Sequence, residues 1–134
     1  MRRINYLGLD VGTRRIGVAV ARDGVKIASC LPTITVDGNE ISRIERIVKD
    51  YDIGCIIVGY PRNQSGEATQ QTRTVEAFVE VMTKTITVPV AFQDESLTSV
   101  VAEQELAESG KRFAKGDIDA RAAEVLLQDY IETV

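Results

Sequence analysis

Apolar residues recur along this chain in two rhythms, and the rhythm changes at identifiable places. Residues 4–10 (INYLGLD) and 14–21 (RRIGVAVA) are short β-branched and apolar runs of strand length, separated by a tight Gly-Thr turn. The stretch ARDGVKIASCLP continues them into a third strand, with Asp23-Gly24 as the hairpin signal. Over residues 39–51 the apolar positions become Ile41, Ile44, Ile47, Val48 and Tyr51, three and four apart, which predicts an amphipathic helix. IGCIIVG at 53–59 returns to strand chemistry and has the composition of a strand buried on both faces. The loop YPRNQSGE leads into a helix over 69–85, with Val75, Phe78, Val79 and Met82 on one side. VPVAFQ at 88–93 is a further strand, ending in Asp94-Glu95, and two helices follow, one over 98–109 closed by Gly110 and one from about 117 to the C-terminus.

The order is therefore βββαβαβα with an extra helix near the end. It predicts an α/β domain with a mixed five-stranded sheet: an antiparallel meander, then parallel strands, with helices on both faces. Strand ends of such sheets meet at a carboxyl edge, where open α/β folds place ligands. No internal repeat, low-complexity tract or linker interrupts the chain, so residues 1–134 read as one domain.

Composition narrows the chemistry. With 44% hydrophobic and 27% charged residues the chain is ordinary globular material. It has no apolar run of membrane-spanning length and no signal-peptide pattern, so a cytoplasmic protein without a membrane partner is expected. Net charge is −4, which argues against a broad basic face, although Arg14 and Arg15, the surroundings of Arg62 and Arg73, and KRFAK at 111–115 are local basic clusters. Cys30 and Cys55 lie in separate apolar segments and read as buried free thiols. The chain contains no histidine, which removes the Ser-His-Asp triad, the HExxH zinc site and imidazole as general base. Any metal must be held by oxygen, which favours Mg²⁺ or Mn²⁺.

Carboxylates then become the candidates. Asp10 ends the first strand, and Asp94-Glu95 ends the last. In DIDARAAEVLLQDYIETV, Asp117 shares a side with Ala120, Arg121, Glu124 and Gln128 and reads as a solvent-side N-cap. Asp119 shares its side with Ala122, Ala123, Leu126 and Tyr130, the packed face, where the two alanines would let the helix approach the sheet closely. Asp10, the Asp94-Glu95 pair and Asp119 can all be brought to one sheet edge. Carboxylates about 4 Å apart repel by roughly 4 kcal/mol at an effective dielectric of 20, and a divalent cation is the natural compensation. Asp10, Glu95 and Asp119 are the expected ligands, Glu95 being preferred to Asp94 for its longer reach. Thr13 and Arg14 beside Asp10, and Lys111, Arg112 and Lys115 in the loop before the last helix, are expected to grip phosphates.

Four blocks, LGLDVGTRRIGVAV, IIVGYPRNQSGEATQQT, DESLTSVVAE and KGDIDARAAEVLLQDYIE, resemble in order and spacing the YqgF (RuvX) family of pre-16S rRNA nucleases and Holliday-junction-resolvase-like proteins. The resemblance covers nearly the whole chain and implies an RNase H-like fold. It also implies divalent-metal-dependent hydrolysis of nucleic acid in the cytoplasm, trimming the 5′ end of the 16S ribosomal RNA precursor on a ribosome precursor. The family's acidic residues fall on Asp10, Asp94-Glu95 and Asp119. Two positions depart from its pattern: Ser96 stands where arginine is common after Asp-Glu, which puts a phosphate contact in doubt, and Tyr60 stands where leucine is usual.

Rival readings remain open at the level of sequence. An actin-like nucleotide-binding enzyme also carries Asp-x-Gly-Thr after a strand, but such folds enclose the nucleotide between two domains and this chain has room for one. A non-catalytic RNA- or ribosome-binding module would not need the carboxylates. A Holliday junction resolvase acting on branched DNA would use the same metal and groove, and its symmetric double cut calls for a two-fold homodimer.

Overall fold

A computed structural model describes residues 4–61, 69–94 and 115–133, with the side chains of 115–119 excepted. Strands β1 (Asn5–Val11), β2 (Arg15–Ala21) and β3 (Ser29–Thr35) form the meander, and helix α1 (Glu40–Asp50) leads into β4 (Ile53–Tyr60). Helix α2 (Gln70–Met82), strand β5 (Val90–Asp94) and helix α3 (Lys115–Ile131) complete the described elements. The sheet order is β3-β2-β1-β4-β5. β1 pairs antiparallel with β2, and β2 with β3, whereas β4 runs parallel to both β1 and β5. This is the mixed five-stranded sheet expected from the alternation of periods.

Helices cover both faces, and the two cores are made of different material. Against α1 and α2 pack Leu7, Leu9, Ile16, Ile56 and Val58 of the sheet with Ile44, Val75 and Met82 of the helices, all fully buried. Against α3 pack Ala19, Ala21, Ile57 and Ala28 with Ala123, Leu127 and Ile131, and Tyr6 meets Tyr130 edge-on at 5.7 Å. Period-two alternation along β1 thus sends Leu7, Leu9 and Val11 to the first core and Tyr6, Gly8 and Asp10 to the second. Gly8 is where α3 comes closest. A Cβ there would stand 2.9 Å from the Leu127 Cβ and 3.4 Å from the Ala123 carbonyl oxygen, so only glycine fits.

Several expectations need correction. The third strand begins at Ser29, not immediately after the Asp23-Gly24 turn, and runs on through Pro32 to Thr35. Gly24 does make that turn, with φ 79° and Val25 N–H donating to the Arg22 carbonyl at 3.0 Å. Pro32 is tolerated because β3 is an edge strand, where a missing N–H leaves no ladder partner unpaired. Cys30 is exposed, not buried, for the same reason: it lies on the sheet margin. Helix α3 begins at Lys115, so Asp117 is its third residue rather than its N-cap, and Lys115 is helical rather than part of a loop. The flank of α3 carrying Glu124 and Gln128 is not simply solvated either. Gln128 accepts from the Ala28 N–H at 2.9 Å and donates to the Lys26 carbonyl, and Glu124 accepts from the Cys30 N–H at 3.2 Å. An open sheet edge exposes unpaired backbone donors, and these polar side chains take them.

Candidate active site

Asp10 is half-buried near the carboxyl end of β1, on the face that α3 covers. The helix descends this face in the opposite sense to β1. Tyr130 lies by Tyr6, and Leu127 and Ala123 lie by Gly8, so the next turn toward the helix N-terminus, which carries Asp119, continues toward the Asp10 end. Two residues of strand advance about 7 Å and four of helix about 6 Å, so the spacing stays in step. Ala122, Ala123 and Leu126, the residues expected on the Asp119 face, are fully buried.

Immediately after β1 the chain reverses. The Gly12 N–H donates to the Arg15 carbonyl at 3.0 Å, and a Cβ on Gly12 would lie 2.7 Å from that oxygen. The glycine is required by close approach, and the turn leaves Thr13 and Arg14 exposed at the same sheet edge as Asp10. The Arg14 carbonyl accepts from the Val36 N–H, which ties this turn to the end of β3.

Asp94 is the last residue of β5 and is exposed. Its register partner on β4 is Tyr60. Val90 belongs to the large-residue core and Ala91 to the small-residue core, so alternation groups Gln93 with Ala91 and Asp94 with Val90. Asp94 and Asp10 therefore share a sheet end but not a face, with β4 between their strands, about 10 Å from backbone to backbone. Glu95, Lys111 and Arg112 lie outside the described residues, and Asp119 and Lys115 are described as backbone positions only. Among the described residues no three potential ligands stand together.

The donor chemistry fits a hard cation. The chain has no histidine, and neither cysteine neighbours Asp10 along β1: Cys30 is on the sheet margin and Cys55 pairs with Tyr6 at the opposite end. Burial pushes the Cys55 thiol upward in pKa, away from the thiolate a soft metal would need. A carboxylate oxygen at a strand end, facing a helix held close by Gly8 and Ala123, would suit a hard cation such as Mg²⁺ or Mn²⁺.

Two contributors escaped the sequence reading. Gln71, in the first turn of α2, donates its side-chain amide to the Val11 carbonyl at 2.7 Å, one residue beyond Asp10. Thr72 is fully buried and donates its hydroxyl to the Pro61 carbonyl. Thr69 and Thr72 form a reciprocal capping box at the start of α2. The spacing of Thr69 and Thr72 hinted at a helix start. Gln71 carries no such signal, being one polar residue in a polar stretch.

Comparison with known proteins follows the same lines. A family model described as "RuvX: Holliday junction resolvase" matches residues 4–133. A Chloroflexus aggregans protein is 40% identical over 136 residues, covering 98% of this chain and 96% of its own. A Bacillus subtilis protein is 34% identical over 137 residues, covering 98% and 99%. Both are provisionally named as pre-16S rRNA nucleases. Among solved structures, T. thermophilus RuvC in complex with a Holliday junction substrate superposes with a TM-score of 0.60 at 14% identity, covering 97% of this chain and 94% of that one. The fowlpox virus Holliday junction resolvase gives 0.58 at 12% identity, covering 97% and 99%. At these identities the likeness is one of fold.

Proposed function

We propose that this chain, which belongs to the RuvX family, is a single-domain nuclease that hydrolyses phosphodiester bonds with a divalent metal ion, acting in the cytoplasm on the 5′ end of the 16S rRNA precursor. The observation that carries the reading is Asp10: a half-buried carboxylate at the end of a central strand, on the face of a helix held close by Gly8 and Ala123. Its relatives' names supply the substrate class. No helix among the described residues is long and apolar enough to cross a membrane.

Asp10, Glu95 and Asp119 would hold the ion. The alternation that separates Asp94 from the Asp10 face supports its neighbour Glu95 as the ligand, leaving Asp94 at the rim. A divalent cation supplies charge stabilisation for the phosphodiester and acidifies water, which is what the missing histidines cannot do. With no imidazole present, a carboxylate of this set accepts the proton of the attacking water. Thr13 and Arg14 donate to phosphate oxygens on one side of the cut, and Lys111, Arg112 and Lys115 on the other.

The deciding experiment offers the protein Mg²⁺ or Mn²⁺ with a 16S precursor 5′ leader, single-stranded DNA and a four-way DNA junction, beside Asp10→Asn. Metal-dependent cleavage of the RNA that disappears in Asp10→Asn is expected. Cleavage confined to the junction, by a protein that sediments as a dimer, would replace the RNA reading with a resolvase. Tight RNA or ribosome-precursor binding with no Asp10-dependent cleavage would leave a binding module.

A further inference from the structure

We propose that the first turn of α2 is a clamp on the reacting end of the sheet, and that Gln71 is a positioning residue for Asp10. The inference rests on the metal-nuclease reading for its functional consequence, but its geometry stands independently. β1 and β4 are paired in parallel with Leu9 opposite Val58, an offset that puts Val11 level with Tyr60. In a parallel ladder a residue accepts from the N–H of the residue following its partner. For Val11 that residue is Pro61, which has no N–H. The paired register ends at Leu9 opposite Val58, and beyond it Pro61 offers the Val11 carbonyl no backbone donor.

Gln71 replaces that missing donor. Its side-chain amide reaches the Val11 carbonyl at 2.7 Å, while the adjacent Thr72 hydroxyl takes the Pro61 carbonyl itself. Consecutive residues of one helical turn thus hold the ends of the two central strands. That turn is itself rigid: Thr72 N–H donates to the Thr69 hydroxyl at 3.3 Å, and Thr69 N–H to the Thr72 hydroxyl at 3.0 Å. Apart from the clamp, the described backbone hydrogen bond closing this end of β1 comes from the β2 side, through the Gly12–Arg15 turn. Misplacing a metal-binding carboxylate by about 1 Å can lower a rate by about 10²-fold.

The test uses the full chain and three variants. Gln71→Met keeps the side-chain length and removes the donor, and Gln71→Glu keeps polarity but lacks the donor when ionised. The third combines Gln71→Met with Pro61→Ala, which returns a backbone N–H to the position opposite the Val11 carbonyl. Gln71→Met and Gln71→Glu are expected to weaken Mn²⁺ binding, followed by electron paramagnetic resonance, and to lower kcat on RNA, each by about 10- to 100-fold. KM should stay within about twofold, and amide exchange at Gly12 and Thr13 should quicken. The double variant should recover most of the loss, a result that general destabilisation of α2 would not produce. Wild-type Mn²⁺ affinity and exchange in both single variants would overturn the clamp, as would an equal loss in Gln71→Met and the double variant. Absence of Asp10-dependent cleavage in the wild type would instead defeat the nuclease reading, with Mn²⁺ binding and amide exchange still deciding the clamp.

Discussion

The two faces of the sheet are built to different specifications. The α1/α2 face is filled with Leu, Ile, Val and Met, whereas the α3 face intersperses Gly8, Ala19, Ala21 and Ala123 among Ile57, Leu127 and Ile131. Large side chains maximise apolar area, at about 25 cal/mol per Å² buried, and so supply most of the stabilisation. Small ones give up area and let a helix backbone come close to a strand. The difference separates two tasks: one face holds the sheet together, and the other sets the distance between β1 and the helix that carries Asp119. Mutations on the first should change stability without changing chemistry. Those on the second should do the reverse.

The largest expected effect tests the second half of that statement. Asp119→Asn preserves shape and removes a charge, so nuclease activity should fall by about a thousandfold or more, about 4 kcal/mol in the barrier. The thermal midpoint without metal should hold or rise, because repulsion within the acidic set is relieved. A less stable but still active Asp119→Asn protein would show that this aspartate is a structural partner, its loss leaving a buried charge uncompensated, and would end the metal-site reading.

On the opposite face, Leu9→Ala removes a fully buried side chain immediately before Asp10 in sequence but on the other side of the strand. A stability loss of about 3 kcal/mol is expected from denaturant melts. Activity per folded molecule should stay within about threefold. A collapse of activity under conditions where the variant is fully folded would show that the two faces are not separable. Gly8→Ala should lie between the two behaviours. Its Cβ meets the Leu127 Cβ at 2.9 Å, so α3 must shift outward, at about 2 kcal/mol in stability. The same shift moves the helix carrying Asp119, so activity should fall by tenfold or more in protein that remains folded. Unchanged activity would mean that the close approach serves packing alone.

This division also accounts for what could be read from sequence. Residues with large apolar side chains announce their face through period, which is why β1, β2, β4, α1 and α2 are predicted to within a few residues of their observed ends. The strand-end place of Asp10 and the buried Ala122 and Ala123 of α3 are legible for the same reason. β3 is less so: on an edge strand half the side chains face water, its apolar rhythm is diluted, and Pro32 reads as a break although the edge accommodates it. The polar flank of α3 misleads in a related way. Glu124 and Gln128 look solvated because periodicity distinguishes apolar from polar but cannot see a backbone edge that needs acceptors and donors. Gln71 is invisible for a stricter reason. Its role depends on where the pairing of β1 with β4 ends, a register that no single-sequence pattern supplies.

The smallest expected effect concerns an ion pair beyond the large-residue core, where α1 begins. Arg43 grips Asp37 with both nitrogens, at 2.7 and 3.0 Å, and donates to the Thr35 carbonyl of the edge strand at 3.1 Å. The guanidinium hydrogen bonds, followed by the Asn39 N–H, hold the Asp37 carboxyl below its ordinary value of 3.8. A carboxyl whose pKa is lower folded than unfolded stabilises the fold above its unfolded pKa and loses that contribution as pH falls through the folded one. The contribution should therefore be constant at neutral pH and disappear as pH drops below 3.8. Both groups are well exposed, so solvent screens the pair and its contribution is small. Asp37→Asn should flatten the acid limb of the stability profile in that window, an effect that shrinks in 1 M salt, and should leave both metal binding and cleavage at neutral pH unaltered. If Asp37→Asn instead lowers the neutral-pH cleavage rate, the Arg14 turn, tied to this region through the Val36 N–H, transmits changes from the α1 side to the Asp10 end. The two faces would then be coupled through β3, which helices of both faces contact.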